Sequence, residues 1–323
     1  MKTIIRILAI LLIILLCSHC EREKLPQVYT GKVLVFSQAA YCYGWVYSKG
    51  EADVDEYGFV WSKSDSSDIQ NSKVAFDNGT NYFETAISGL TPNTTYSLKA
   101  YAAYSEGTLY SEETEITTSR AGTFTDSRDG RTYKWVEIGN QIWMAENLSY
   151  IPYVSTFTND TGIFVYNYKG LSVDMAKKTE EFKKYGCLYT WEISLHVCPD
   201  GWHLPGDDEW QELQKTIGIP SSQVGKYLWH GTNEDKLLKS TFWSEPYGKP
   251  NNATSFSALP AGYHHRETEN GYIYFHGLGG SAYFGSSTKY DYPIMIVLDS
   301  YHNGIMKTGA AESFGCSVRC IRD

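Results

Sequence analysis

The sequence predicts a multidomain chain in which an all-β sandwich is followed by an α+β domain, behind a short export leader. Three observations predict this. Residues 1–20, MKTIIRILAILLIILLCSHC, place Lys2 and Arg6 around the start of an unbroken apolar run from Ile7 to Leu16. Residues 28–119 show short alternating segments separated by turn residues, the period of half-buried strands. Beyond residue 119 the pattern changes, and an amphipathic stretch with helical spacing, DDEWQELQKTIG, stands among further alternating segments. At 323 residues the chain is long enough for two cores of ordinary size.

The apolar run of the leader is half the roughly 20 residues a spanning helix needs, and it fits the core of a secretory signal. A cysteine close behind such a core resembles the lipobox of bacterial lipoproteins, where the thiol receives diacylglycerol and becomes the new N-terminus. Cys20 follows Ser18 and His19; Cys17 follows Leu15 and Leu16. Neither has the small preceding residue that the lipobox favours. Cys20 is the preferred site, because the charged stretch Glu21-Arg22-Glu23-Lys24 begins directly after it. That stretch also resembles the surface-export signal of Bacteroidetes lipoproteins. The resemblance implies a signal peptide over 1–20, a tether over 21–27 and a membrane partner reached through a lipid anchor. The location implied is the outer membrane, facing outward. Each buried methylene of an anchor contributes roughly 0.8 kcal/mol. An ordinary secretory signal with incidental cysteines is the alternative.

Composition narrows the function. The formal net charge is −9, and loss of Lys2 and Arg6 with the leader makes the mature chain more acidic still. Such a surface repels phosphate backbones, so no nucleic-acid partner is expected. The charges are scattered, which solubility alone explains. Aromatics reach 15%, with 26 tyrosines. Aromatic rings fit half-buried pleated surfaces, and they also suit faces that stack on sugars or bury peptide.

Within 28–119, AAYCYGWVYSKG sets Ala40, Cys42, Gly44 and Val46 on one face and Tyr41, Tyr43, Trp45 and Tyr47 on the other. YGFVWSKS (57–64) reads as a further strand. Leu90, Pro92, Thr94 and Tyr96 then follow in the spacing L-x-P-x-T-x-Y. This resembles the tyrosine corner of fibronectin type III domains, whose tyrosine hydroxyl bonds back to upstream backbone. The resemblance implies a fibronectin type III-like sandwich acting as a spacer or protein-binding module, with the Tyr/Trp face as an alternative binding surface. Cys42, on the inward face, is expected to behave as a small hydrophobe.

From residue 120 onward a second set of motifs appears. GTFTDSRDGRTYKWVEIGNQIWMAENLSY (122–150), YGCLYTWEISLHVCPDGWHLPGDDEWQEL (185–213), TSFSALPAGY (254–263), AYFGSST (282–288) and GCSVRCIRD (315–323) together resemble the Fibrobacter succinogenes major paralogous domain. The likeness covers roughly residues 121–323. More remotely the motifs resemble the C-type-lectin-like fold, whose members include glycan binders, protein binders and the formylglycine-generating enzymes. The residues also read directly. Pro205 and Gly206 break a strand, and Asp207, Asp208 and Glu209 open a helix where carboxylates favour the positive end of the dipole. Glu209 can reach back to Gly206 in a capping arrangement. Trp210, Leu213 and Ile217 share one helical face. Helix-start acids explain the acidic triplet better than a metal cluster does.

Four cysteines fall in this domain: Cys187, Cys198, Cys316 and Cys320. An oxidising envelope permits disulfides. If CSVRC is a strand, Cys316 and Cys320 stand about 13 Å apart, beyond the roughly 7 Å a bridge tolerates. Each must then bond elsewhere. Membership of the family motifs favours Cys198–Cys320, with Cys187–Cys316 as the second bridge; the crossed pairing stays open.

The formylglycine-generating likeness suggests an oxidase holding copper on Cys316 and Cys320. The same spacing weighs against it, and no C-x-x-C, H-E-x-x-H or G-x-S-x-G string is present. No catalytic residue, metal or cofactor is therefore expected. The strings of calcium-dependent lectins are missing too, the nearest being Glu245-Pro246-Tyr247. What remains is a face rich in Tyr and His over 262–292: Tyr263, His264, His265, Tyr272, Tyr274, His276, Tyr290 and Tyr292. It could stack on a ligand, although alternating Tyr272, Tyr274 and His276 also read as an ordinary strand. Adjacent His264 and His265 face opposite ways in a strand and cannot share a metal. The expectation is a non-catalytic surface lipoprotein that binds a glycan or a host or bacterial surface protein. The alternative is a structural, self-assembling envelope protein.

Overall fold

The structure, a computed structural model, describes residues 25–47, 54–64, 73–77, 82–243, 249–266 and 273–323. Cys17, Cys20 and Tyr272 lie outside the described residues. Two compact units divide the chain. Of the described residues, one unit holds those up to Lys32 together with those within Cys42–Thr85 and Tyr96–Ile116; the other holds those within Val33–Tyr41, Ala86–Thr95 and Thr117–Asp323.

The N-terminal strands are β1 (Gln27–Val35), β2 (Ala39–Tyr47), β3 (Val54–Lys63), β4 (Lys73–Asp77), β5 (Tyr82–Ser88), β6 (Thr95–Tyr104), β7 (Gly107–Tyr110) and β8 (Thr114–Thr117). They form two sheets, β1-β2-β5 and β4-β3-β6-β7, with β8 pairing β6. Phe83 of β5 packs at 5.0 Å from both Tyr57 and Phe59 of β3, which closes one sheet on the other. The alternation read in β2 holds: Ala40, Cys42, Gly44 and Val46 are buried, while Trp45 and Tyr47 are exposed. Tyr41 departs from it and is buried. Burial pushes the Cys42 thiol up to about 12. Gly44 is required, since a Cβ there would stand 2.3 Å from the Phe83 ring.

The turn at 90–94 is pinned by a residue the motif did not include. Thr118, itself buried, accepts a hydrogen bond from Thr94 N at 2.9 Å and donates to Thr91 O at 2.6 Å. Tyr96 is buried at the start of β6.

The later strands are β9 (Ala121–Thr125), β10 (Thr132–Ile138), β11 (Gln141–Met144), β12 (Ile163–Phe164), β13 (Leu188–Tyr189), β14 (Trp202–His203), β15 (Leu228–His230), β16 (Ala261–Arg266), β17 (Ile273–Leu278), β18 (Ser281–Lys289), β19 (Pro293–Asp299), β20 (Ile305–Gly309) and β21 (Ile321–Arg322). Four short helices join them: α1 (Val173–Ala176), α2 (Glu180–Tyr185), α3 (Trp191–Ser194) and α4 (Asp207–Thr216). The described residues are thus mostly β. The sheets run β14-β21-β11-β10-β9, β12-β13 and β15-β20-β19-β18-β16-β17. The turn-rich stretch 119–133 forms the β9–β10 hairpin, whose turn is held by Asp126 bonding Arg128 N at 3.0 Å and Nε at 2.9 Å.

Helix α4 starts where the sequence placed it. Gly206 N donates to Glu209 Oε2 at 2.7 Å, the half of a capping box that a glycine cap can make. Trp210, Leu213 and Ile217 are buried. Trp210 meets Trp143 at 4.7 Å and Phe284 at 5.8 Å, and Phe256 closes the group at 5.7 Å from Trp143. Each such side chain contributes on the order of 1.5–3 kcal/mol by leaving water.

The C-terminal segment ties these sheets together. Gly315 exchanges hydrogen bonds with His264 of β16 at 2.8 and 2.9 Å, and Cys316 does so with Tyr189 of β13 at 2.8 and 3.0 Å. Ser317 N bonds Tyr283 O of β18 at 2.9 Å, Val318 O accepts from Leu148 N at 2.9 Å, and Ile321 pairs with Trp143 and His203. Arg319 is wholly buried. It donates to Asn147 Oδ1 and Ser257 O at 2.8 Å, to Met144 O at 3.1 Å and to Phe256 O, and it lies 4.5 Å over the Phe256 ring. Burial pulls its pKa down to about 9.

Cys198 and Cys320 form a disulfide with Cα atoms 6.0 Å apart. The expected second bridge, Cys187–Cys316, is not formed; both thiols are free and buried. The backbone explains why. Cys316 lies opposite Tyr189 rather than Cys187. Cys187 N instead bonds Leu148 O at 3.3 Å, so Leu148 stands between Cys187 and Val318. Cys187 packs with Tyr133, Leu148 and Tyr189, whereas Cys316 packs with Met295, Val297 and Phe314. Burial pushes each thiol up to about 12, so neither is a reactive thiolate.

Thiol titration of leader-free protein should therefore find Cys42, Cys187 and Cys316 unreactive when folded and reactive in denaturant without reductant. In urea titrations, Arg319→Met should lower stability by about 3–5 kcal/mol, because it leaves buried carbonyls without a donor.

Candidate ligand-binding site

The hairpin between β18 and β19 closes with Lys289 opposite Pro293 and with Tyr290 N bonding Tyr292 O at 3.3 Å. Its tip is exposed, and Tyr292 keeps 61% of its surface in solvent. A cleft of about 610 Å³ opens beside it, walled by Asp160, Lys289, Asp291, Tyr292, Glu312 and Ser313 among others. Lys289 pairs with Glu312 and sits 5.3 Å over the Trp191 ring. Trp191 is held by its own indole N–H on Ser286 O at 3.0 Å and by its backbone N–H on Glu312 O at 3.1 Å. The lysine is thus spoken for, and the wall offers carboxylates as acceptors beside a tyrosine ring.

The other members of the anticipated Tyr/His face are not gathered here. Tyr263 is half-buried, stacked on Phe314 at 4.8 Å and edge-on to Tyr283 at 4.7 Å. His276, opposite it on β17, is exposed and lies 5.5 Å away. His265 approaches Phe314 at 5.7 Å. His264 points to the opposite side, as alternation requires, and is buried on Phe164 at 3.8 Å. Burial pulls its pKa down to about 4, against a weak hydrogen bond to Phe157 O at 3.3 Å. Tyr274 pairs through its backbone with His265. Tyr290 and Tyr292 are both exposed at the hairpin tip, and only Tyr292 borders the cleft.

A further histidine went unremarked in the sequence. His203 sits between Asp323 Oδ1 at 2.6 Å and Glu209 Oε1 at 2.9 Å. Burial works against its charge, but the two carboxylates outweigh it and raise the pKa. The string W-H-L-P-x-x-x-E carries half of this contact; Asp323 is far away in sequence and could not be read from it. Among the described residues, no three His, Cys, Asp or Glu side chains gather as a metal-binding group. No helix among them is long and apolar enough to cross a membrane.

A disulfide-locked, mostly β unit that displays a polar cleft on a hairpin defines the class. Residues 136–322 match the Fibrobacter succinogenes major domain, more than half of the chain, and the chain belongs to that family. The sixth fibronectin type III domain of human fibronectin type III domain containing protein 3 is 23% identical, covering 31% of this chain and 87% of that one, with a TM-score of 0.22. No curated protein matches the sequence.

The two histidines predict opposite pH behaviour. His203, with its pKa raised by folding, adds stability that is present below its unfolded value and lost as pH rises through its folded value. His264, with its pKa depressed, adds a loss of stability as pH falls from about 6.5 toward about 4. Imidazole NMR titration should place His203 above 6.5 and His264 near 4. His264→Phe should flatten the acid-side fall in melting temperature between pH 7 and pH 5.

Proposed function

We propose that this chain is a non-catalytic binding protein of the outer cell surface, anchored by lipid on Cys20, that captures a saccharide in the cleft beside Tyr292. The cleft carries this reading. An exposed aromatic ring offers a flat apolar face, and neighbouring carboxylates accept hydrogen bonds from hydroxyls; this is the mixture that orients small polar ligands. Short helices and loops around a strand-rich core agree with a C-type-lectin-like second domain, in which loops carry recognition on a rigid scaffold. Two facts weigh against the oxidase alternative. Cys320 is bonded to Cys198, and Cys316 is a buried thiol far from ionising.

On a glycan array the full chain should bind at least one saccharide, and Tyr292→Ala should weaken that binding at least about tenfold, roughly 1.4 kcal/mol, with its melting temperature unchanged. A blank array together with polymerisation of purified protein would favour the structural alternative instead. On expression with its leader, Cys20→Ala should move the protein from the membrane to the soluble fraction. Retention on the membrane would point to Cys17 or to an uncleaved leader.

A further inference from the structure

We infer that a second cleft, basic where the one beside Tyr292 is acidic, takes an acidic saccharide, a sugar residue carrying a carboxylate or a sulfate. The cleft measures about 570 Å³, and its described lining residues all belong to the second unit. The hairpin of β9 and β10 forms its base. Lys134 pairs with Thr123 and Val136 with Ala121, so these side chains share one face of the hairpin, and all four residues line the cleft. Helix α2 brings Lys184 to the cleft from its last turn. The Lys184 ammonium lies 5.0 Å over the Tyr185 ring and 5.1 Å over the Phe242 ring, and both rings line the cleft. Phe242 is 64% exposed. Arg131 lies over Tyr133 at 5.3 Å and over Phe182 at 5.9 Å. Asn147 and Ser257, which bind Arg319, also line the cleft, so part of its wall is fixed by the core.

The charge runs against that of the chain. The whole sequence carries −9, yet Arg131, Lys134, Lys183 and Lys184 line this cleft, and Glu146 is the one carboxylate among its described lining residues. Lys183 pairs with Glu180 at 2.6 Å. Among the described residues no carboxylate pairs with the side chain of Arg131, Lys134 or Lys184. Glu146 accepts from the Lys134 backbone N–H at 3.0 Å, and it acts on the buried Arg319 charge from nearby. An anion entering the cleft therefore meets three uncommitted cations in a concave setting, which concentrates their field. The rings narrow the ligand further. The exposed Phe242 face suits the C–H surface of a pyranose, and Lys184 stands by the same ring to meet a carboxylate or sulfate. The volume is that of a small-ligand site, and the acidic remainder of the surface repels phosphate polymers. The inference does not rest on the cleft beside Tyr292, which is walled by Asp160, Asp291 and Glu312 and shares no lining residue with this one.

Isothermal titration calorimetry on the full chain in about 0.15 M salt tests it. The probes are trigalacturonate, its methyl ester, a chondroitin sulfate tetrasaccharide and glycerophosphoglycerol. At least one of the two acidic saccharides should bind, with the neutral ester and the phosphodiester each at least about tenfold weaker. Lys134→Gln, Lys184→Gln and Phe242→Ala should each weaken that binding at least about fivefold at unchanged melting temperature. All three residues are exposed, so these variants spare the core. Lys183→Gln and Tyr292→Ala should hold the affinity to within about twofold. Silence from both acidic saccharides would overturn the inference. Equal binding of the ester or of the phosphodiester would overturn it too, since charge on a sugar would then decide nothing. Binding that survives all three cleft variants would mark diffuse attraction to the surface, and binding lost in Tyr292→Ala would belong to the other cleft; either result contradicts the inference. Failure of neutral saccharides to bind beside Tyr292 would remove that reading and leave this one standing.

Discussion

The guanidinium of Arg319 is wholly buried inside the second unit, and among the described residues no carboxylate is hydrogen-bonded to it. Its donors go to Asn147, Met144, Phe256 and Ser257. Such a cation is tolerated only when its donors are satisfied, so two separate stretches of chain must arrive together at the C-terminal segment. Two of the acceptors belong to the end of β11 and the loop after it. The other two belong to the stretch 254–258, where the backbone is unusual: Ser255 and Ser257 hold positive φ of 57° and 55°. Non-glycine residues take that region at a cost of order 1–3 kcal/mol. Here Asn252 secures it, donating to Ser257 Oγ at 2.9 Å and accepting from Ser257 N at 2.8 Å. The strained turn aims two carbonyls at one cation.

Because Arg319 sits within the segment that touches β16, β13, β18, β11 and β14 in turn, fixing it fixes the sheets. The disulfide at Cys320 acts on the same segment, closing a span of 122 residues; in the chain-entropy view a loop of that size contributes roughly 4–5 kcal/mol. Rigidity at this point reaches the cleft beside Tyr292 through β18. Its Phe284 packs into the aromatic group around Trp210, while its far end carries Lys289 into the hairpin that displays Tyr290 and Tyr292. Tyr292 stays exposed at the tip of this hairpin, just beyond the Lys289–Pro293 pair.

Much of the fold was legible because it rests on local pattern. Alternation gave the faces of β2, and the acidic start with apolar 3–4 spacing gave α4. The Cys198–Cys320 pairing followed from motif resemblance and is present. Cys187–Cys316 failed because parity in a motif says nothing about which strand intervenes, and Leu148 intervenes. Of the eight residues in the anticipated Tyr/His face, those on β16 serve packing instead. Period-two spacing cannot distinguish a ring that stacks on Phe164 or Phe314 from one that waits for a ligand. The basic cleft was likewise out of reach: Lys134 stands on β10 and Lys184 on α2, and nothing local marks the two as walls of one cleft.

Amide hydrogen exchange on the folded chain tests most directly the claim that the C-terminal segment locks the second unit. The amides of Met144, Leu148, Tyr189, Gly285, Cys316 and Ser317 all enter or leave that segment's hydrogen bonds. They should exchange only through global unfolding, with one shared free energy that falls together in Arg319→Met. If these amides instead open independently, at free energies well below that of the β18–β19 pairing, the segment is a passive tail and the account is wrong.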